Sequence, residues 1–538
     1  MAIPRTARTP TPERTDHAMP DPNDTQPSDG TLLRKAAAGS VWTSAQVIVN
    51  KLATAAAMFL VARELTKEEM GLATLTPAIC AFLVLLPPVV IGDVLLANQR
   101  RLTRALPIGR RLAMRYGIAT TLFLLAISPG IAWFYSDFPA ATLVALVATV
   151  ALRSTADAWS MPALSALRSD LRYRTIVLID GGTQLVTTAL MIGLAFGGAG
   201  AFALIVPQVA LSCGKAVLYA IALARAPVHH DEPIHHDEPG AHPEAADIDD
   251  ATLERRIRHD YFTGGLGQYI HNALGALPAL ALGRLAGETE TGVFGFAYLI
   301  AAQATVVISY QLGAILQPIF GKLGRDPAAQ ATGFLRIVRG IGSVAIPVSL
   351  LQAAFAPLIF ALLFSPKYDD ALPTFVVLSA AQCFQFAVAP VLSLLKAQGR
   401  FRTFFVWQAV HIAVAGTAFL ACAGPYGALG VAIADSVVWG ASVTAATWLG
   451  SRALRLSLFG AFRALFATVL TALPVAVACW FACQAIVPFG AIAQAGAILV
   501  LGPIALLLSV ALVRWSDRET FTALVSVGPV RRVLDRLR

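Results

Sequence analysis

Lys51 interrupts an apolar stretch over residues 39–62, beside Asn50, and no acid stands one helical turn away, where Val47, Ile48, Thr54 and Ala55 lie. An ammonium group facing hydrocarbon costs about 3 kcal/mol or more, so such a residue implies a polar or wet environment on its own face. The chemistry open to it is recognition of an anion. Arg153 and Asp157 lie four residues apart in a second apolar stretch, with Trp159 close by, and Asp180 and Gln184 repeat that spacing in the next. Residues at i and i+4 share a helix face, so Arg153 and Asp157 could neutralise each other as a packing pair or grip a charged ligand together. Asp93, Lys215 and Asp435 are further charges within apolar stretches, and the carboxylates Asp93, Asp180 and Asp435 are the candidates for coupling movement to an ion. Asp93, Asp180 and Lys215 could instead reach an interface by snorkelling or pair locally. His271, Asn272, Gln268, Gln303, Gln311 and His411 add polarity to the second half, the glutamines being common interhelical hydrogen-bond formers.

The elements that must position these groups follow from composition. Of 538 residues, 57% are hydrophobic and only 14% charged, far below the ~25% charged of a soluble chain. An all-α polytopic membrane protein is the expectation. Helices of about 20 apolar residues cross a bilayer, and fourteen such stretches can be marked: 39–62, 71–98, 112–135, 140–164, 175–196, 200–224, 261–284, 292–318, 340–363, 371–395, 403–423, 427–449, 464–486 and 490–513. Many carry proline, including Pro77, Pro87, Pro88, Pro162, Pro207, Pro278, Pro347, Pro357, Pro390 and Pro474, which kinks or breaks a span.

With the N-terminus inside, the inner links and the final tail carry 28 Lys and Arg, and the outer links four: Arg63, Lys67, Arg284 and Lys367. Basic residues hold loops on the cytoplasmic side. The net charge of +9 therefore encodes orientation rather than nucleic-acid binding, with both termini expected to be cytoplasmic. The outer links are too short to form a domain.

The chain is also duplicated. PALSALRSDLRYRT from Pro162 matches PVLSLLKAQGRFRT from Pro390 at an offset of 228 residues. RELTKEEMG from Arg63 matches RLAGETETG from Arg284 at an offset of 221, and thirteen residues before each arginine stand Asn50-Lys51 and His271-Asn272. Six spans per half preserve orientation, so the repeats are parallel, related by rotation about the membrane normal. The expected organisation is a disordered cytoplasmic tail at 1–30, a six-helix lobe at 31–224, a cytoplasmic linker at 225–258, a second six-helix lobe at 259–449, an extra helix pair at 450–513 and a basic amphipathic tail at 514–538. The linker carries HHDEPI followed by HHDEPG. Its histidines could bind a metal, but a proline-rich repeat has no fixed ligand geometry, and a solvated spacer is the expected reading. The six cysteines all lie in apolar runs and read as small buried hydrophobes. Residues 1–30 contain no apolar signal region, so the first span is retained. No phosphate-binding loop, nucleophile elbow or HExxH motif occurs, which points away from an enzyme and toward gradient-driven or facilitated movement without a cofactor.

Local patterns then agree with a family. Trp42 followed by LVARELTKEEMGLATL, GVFGFAYLIAAQ with Gln317-Pro318, LIFALLFSPKYDDALPTFVVLS and LLKAQGRFR, in this order and spacing, resemble the bacterial polysaccharide-unit (Wzx-type) flippases. These are grouped with the lipid II flippases in the multidrug/oligosaccharidyl-lipid/polysaccharide exporter superfamily. The resemblance implies two lobes around a V-shaped lumen that opens alternately to either side. It implies an undecaprenyl-pyrophosphate-linked oligosaccharide as substrate, membrane lipids as surroundings and a polymerase or assembly complex as partner. Lys51 and Arg153 are then the residues suited to the pyrophosphate, with Arg284 at the exit. A drug or cation exporter would favour twelve spans and acidic lumen groups. A lipid-linked-sugar polymerase or ligase would favour a large outer loop.

Overall fold

A computed structural model describes residues 50, 53–54, 56–98, 101–170, 172–225, 249–303, 327–364, 366–398 and 400–516. Lys51, Gln311, the histidine repeat and both tails lie outside these residues. With no water to satisfy peptide groups in a bilayer core, an apolar chain of this kind resolves into helices that close their own hydrogen bonds. In order they are α1 (described at 50, 53–54 and 56–64), α2 (Lys67–Leu83), α3 (Val89–Ala97), α4 (Leu102–Phe134), α5 (Ala140–Ser169), α6 (Tyr173–Phe196), α7 (Phe202–Arg225), α8 (Asp250–Leu285), α9 (287–303), α10 (Pro327–Ala354), α11 (Ala356–Leu363), α12 (Ala371–Ala397), α13 (Phe401–Leu454), α14 (Leu458–Ile486) and α15 (Ala491–Ser516). Among the described residues, nine helices are long and apolar enough to cross a membrane. The protein is a multi-pass, all-helical membrane protein.

Several boundaries differ from the expected stretches for identifiable reasons. The span expected at 71–98 is broken into α2 and α3, because Pro87 and Pro88 remove two amide donors in succession. The span expected at 340–363 is likewise divided, at Phe355, just before Pro357. The linker expected to run to 258 ends earlier, since α8 already begins at Asp250. Its first turns are amphipathic: Leu253 and Ile257 are buried with Val90, Leu95 and Leu102, and Asp250 accepts a hydrogen bond from Arg104 at 2.7 Å. Two expected spans fall within α13, whose backbone leaves helical geometry at Gly427 (φ 56°, ψ −146°). His411 and Ser442 approach to 3.4 Å across that point, so α13 folds back as a hairpin.

The duplication is visible in three dimensions. Gly71 packs on the carbonyl of Glu288, and Gly292 packs on the carbonyl of Lys67. Each pair is the other shifted by 221 residues, the reciprocity that a two-fold axis produces. Gly295 packs against Thr74, its own mate under the same shift, so this contact lies on the axis. Both α2 and α9 start at this end of the bundle, which places the axis along the bundle normal. Small residues let the two backbones meet where any side chain would overlap.

A second pair of turns repeats the pattern. Gly200, between α6 and α7, and Gly427 in α13 both have φ +56°, a left-handed conformation that favours glycine. Glu69 lies against Gly200, and Glu290, its mate, lies against Gly427 and accepts a hydrogen bond from the Ala428 amide at 2.7 Å.

Candidate translocation site between the lobes

The end of the bundle bearing Arg63 and Arg284 is poor in arginine, and here the halves share one core. Ala57, Met58, Val61 and Leu65 of the first half are buried with Phe296, Phe360, Phe364, Tyr368 and Phe375 of the second. Phe296 stacks on Tyr368 with centroids 3.9 Å apart, and Phe59 meets Phe364 edge-on at 5.8 Å. Toward the arginine-rich end α8 of the second half still packs on α3 and α4, with Tyr261 buried among Leu86, Val90 and Leu102 and donating to the Leu86 carbonyl at 3.3 Å. Other side chains there fall into cores confined to one half. One groups Leu164, Leu167, Ile176 and Tyr219 of the first half, another Phe334, Val391, Leu394 and Leu454 of the second. Among the described residues these two share no member.

Polar contacts close the arginine-poor seam. Thr66 caps α2, accepting from the Glu69 amide while the Glu69 carboxylate accepts from the Thr66 amide. This capping box fixes the turn between α1 and α2 against its neighbour. Across the seam Lys67 pairs with Asp370 at 2.5 Å. Lys367 donates to the Arg63 carbonyl at 2.9 Å, the Tyr368 hydroxyl to the Leu65 carbonyl at 3.1 Å, and Thr289 to Glu68 at 3.1 Å. Backbone donation at the start of α2 holds the Glu68 carboxyl below its ordinary range, with Thr289 adding to this and burial opposing it. Burial pushes Glu288 up, and the carboxylates of Glu68 and Asp137 push in the same direction. Burial lowers Lys367 against the opposing pull of Glu64, Glu69 and Glu68.

Within the first half, Arg153 of α5 and Asp180 of α6 both find partners on α7. Arg153 meets Asp157 at 3.3 Å and donates to Gln208 of α7 at 2.9 Å. Asp180 does not use Gln184 as its partner: it pairs with Lys215 of α7 at 2.7 Å and accepts from Tyr219 at 2.7 Å. A carboxylate in an apolar setting gains more from a cation than from an amide. Gln184 donates instead to Thr54 of α1 at 3.5 Å, and Thr54 donates back to the Asn50 carbonyl at 2.7 Å. Gln208 joins the site without having been among the candidates. Its signal lies in the spacing of Gln208, Ser212, Lys215 and Tyr219, a polar stripe along one face of an otherwise apolar helix.

The second half repeats the stripe 227 residues later as Asp435, Trp439 and Ser442. Asp435 is 8% exposed, with Trp439 and Tyr298 as its polar neighbours, and His411 lies 4.8 Å from the Trp439 ring. The remaining candidates are dispersed. Asn272 accepts from Gln268 at 3.0 Å, and His271 is exposed on the same helix. Arg284 stands 5.2 Å over the Phe134 ring at the seam. Asp93 is exposed on α3 with Arg168 as its charged neighbour. Among the described residues, no three His, Cys, Asp or Glu converge as metal ligands.

Two duplicated helical lobes meeting at a glycine seam, the first carrying paired charges within its apolar helices, define a transporter-class fold. A solved structure of the lipid II flippase MurJ, in an inward closed conformation, is similar with a TM-score of 0.57 at 9% identity, over 88% of this chain and 99% of that one. An inward-facing multidrug resistance MATE transporter of the MOP superfamily gives a TM-score of 0.58 at 13% identity, over 75% and 94%. The chain belongs to the polysaccharide biosynthesis protein family, which it matches over residues 40–232 and 261–373. It is also 21% identical to the teichuronic acid biosynthesis protein TuaB of Bacillus subtilis (strain 168), over 81% of this chain and 86% of that protein.

Proposed function

We propose that this protein is a flippase, carrying a polyprenyl-pyrophosphate-linked oligosaccharide from the cytoplasmic to the outer leaflet of the bacterial inner membrane. It would supply a surface polysaccharide polymerase and perform no covalent chemistry itself. The reciprocal glycine seam at the arginine-poor end supports this reading: two lobes related by a two-fold axis that meet through backbone at small residues can rock against each other about a central site. With the arginine-poor end taken as the outer one, the arrangement is closed on that side. Lysine or arginine grips pyrophosphate through charge-assisted hydrogen bonds, and Lys51 and Arg153 are assigned that part, with Asn50, His271 and Asn272 facing the oligosaccharide and Arg284 at the exit.

Of the carboxylates suited to ion coupling, Asp180 is neutralised by Lys215, and Asp93 is exposed with Arg168 as its charged neighbour. Asp435, buried in the second lobe, is therefore the strongest site for a coupling proton. The test is Lys51→Ala in living cells. Lipid-linked oligosaccharide should accumulate in the inner leaflet and surface polysaccharide should fall by about a hundredfold, with protein level unchanged; Lys51→Arg should keep part of the activity. Full surface polysaccharide from Lys51→Ala cells would remove the anion-contact role, and full surface polysaccharide in a strain lacking the protein would remove the flippase reading.

A further inference from the structure

A cavity of about 340 Å³ opens at the arginine-rich end of the first lobe, away from the charges just described. It is floored by Trp159, Pro162 and Ala163 of α5 and flanked by Leu106, Pro107 and Arg110 of α4 and by Ala220, Leu223 and Ala224 of α7. Its size falls within the ~300–1,000 Å³ of small-molecule sites. Position on α5 shows which way it faces. At about 100° per residue, Trp159, Pro162 and Ala163 share one side, and Asp157 lies roughly 160° away. Ser165, also off that side, donates to the Gly92 carbonyl of α3 at 3.1 Å. The cavity therefore opens between α4 and α7, on the perimeter of the lobe and turned away from the Arg153–Asp157 pair.

Arg110 is the only charged group among the lining residues, and none of them is acidic. Its guanidinium lies 4.3 Å over the Trp159 ring. Stacking fixes the plane of the guanidinium and leaves its edge donors available, the geometry that suits a phosphate. No ion pair to Arg110 occurs among the described residues, whereas Arg104, one and a half turns earlier, is engaged by Asp250. Depth agrees. Arg110 stands just before the apolar part of α4, at headgroup level, and Trp at that level is typical of an interface. Nearest the cavity's side of their helices, Val217 of α7 and Ile118 of α4 are exposed apolar side chains along which acyl chains can run.

We infer that this cavity binds the phosphate of an anionic glycerophospholipid from the leaflet at the arginine-rich end. Charge selects the occupant, since one unpaired cation in an acid-free, apolar-walled cavity between membrane helices matches a lipid with a net negative head. The site is separate from the translocation pathway and does not depend on the flippase reading.

The test uses the full chain in nanodiscs of phosphatidylglycerol and phosphatidylcholine, with retained lipid measured by native mass spectrometry. The unmodified protein should retain phosphatidylglycerol in preference to phosphatidylcholine. Arg110→Gln should lower that preference about tenfold, and Trp159→Leu should lower it less. Arg115→Gln, an exposed arginine of α4 outside the cavity, should leave it unchanged. Equal retention by Arg110→Gln and the unmodified protein would overturn the assignment, as would an equal loss in Arg115→Gln. Preferential capture of added undecaprenyl phosphate over phosphatidylglycerol would also overturn it, giving the site to a carrier lipid. Thermal unfolding of each variant separates lost binding from lost folding.

Discussion

The two duplicated turns at the arginine-poor end do the same backbone work in opposite electrostatic settings. Around the α1–α2 turn, Glu64, Glu68 and Glu69 face Lys367, which the second lobe supplies. Around the α8–α9 turn, Glu288 faces Glu68 and, from the link between α4 and α5, Asp137. Glycine contacts obey the two-fold axis; charges do not. Backbone packing thus makes the closure possible, and the unequal charges give it a dependence on pH and on side-chain substitution that a symmetric seam would lack.

Breaking the shared part of the seam should have the largest effect. Gly292→Leu forces a branched side chain into the Lys67 carbonyl, and overpacking of this kind costs about 1–3 kcal/mol or more. The closed arrangement should lose roughly five- to hundredfold in population. In a cysteine-free background, Thr74→Cys on the axis should become labelled by an impermeant maleimide when Gly292→Leu is added, and protection retained there would refute a closed seam. A smaller effect should follow from reversing the cation that distinguishes the halves. Lys367→Glu places a fourth carboxylate against Glu64, Glu68 and Glu69, and labelling at position 74 should rise several-fold, more at low ionic strength than at high. An increase independent of salt would show that Lys367 acts by packing alone.

The smallest expected effect is the pH response of Glu288. A carboxyl pushed up in the closed arrangement binds its proton more tightly there than when the seam is open, so closure is favoured at low pH. That contribution is fully present below the ordinary value near 4.5 and is lost as pH rises through the raised value. Glu68, held down by its hydrogen bonds, works in the opposite sense, favouring closure above 4.5 and losing that contribution as pH falls through its lowered value. With each rate divided by that of an exposed cysteine at the same pH, to remove the thiol's own ionisation, raising the outer pH from about 4.5 should therefore increase relative labelling at position 74 slightly, and Glu288→Gln should abolish that rise. A rise that survives Glu288→Gln would assign the response to another group.

Much of this organisation is legible in the amino-acid sequence alone. Lysine and arginine placement distinguishes the two ends, because membrane insertion reads charge locally along the chain. The echo of Arg63–Gly71 in Arg284–Gly292 announces the duplication, though nothing in it reveals that the two glycines meet each other's turns. A glycine required for close approach looks the same in sequence as one required for a turn. The second echo, GGAGA at 197–201 and GPYGA at 424–428, is faint because its shared residues are few; the positive φ of Gly200 and Gly427 and the adjoining glutamates give it meaning.

Partnership is the property that sequence does not resolve. Asp180 and Gln184 share a helix face by spacing alone, yet the carboxylate turns to Lys215 on another helix, since a nearby opposite charge outweighs a local amide in an apolar layer. The amino-acid sequence by itself determined an all-helical membrane chain, its parallel duplication and the contrast between a basic end and an arginine-poor one. These follow from composition and from periodicities that each segment expresses without reference to the others. Only the tertiary structure decided where the two glycine turns meet, which charges neutralise one another and where an arginine stacks on a tryptophan with no ion pair among the described residues. Each of these depends on contacts between residues tens to hundreds of positions apart, set by how whole helices pack.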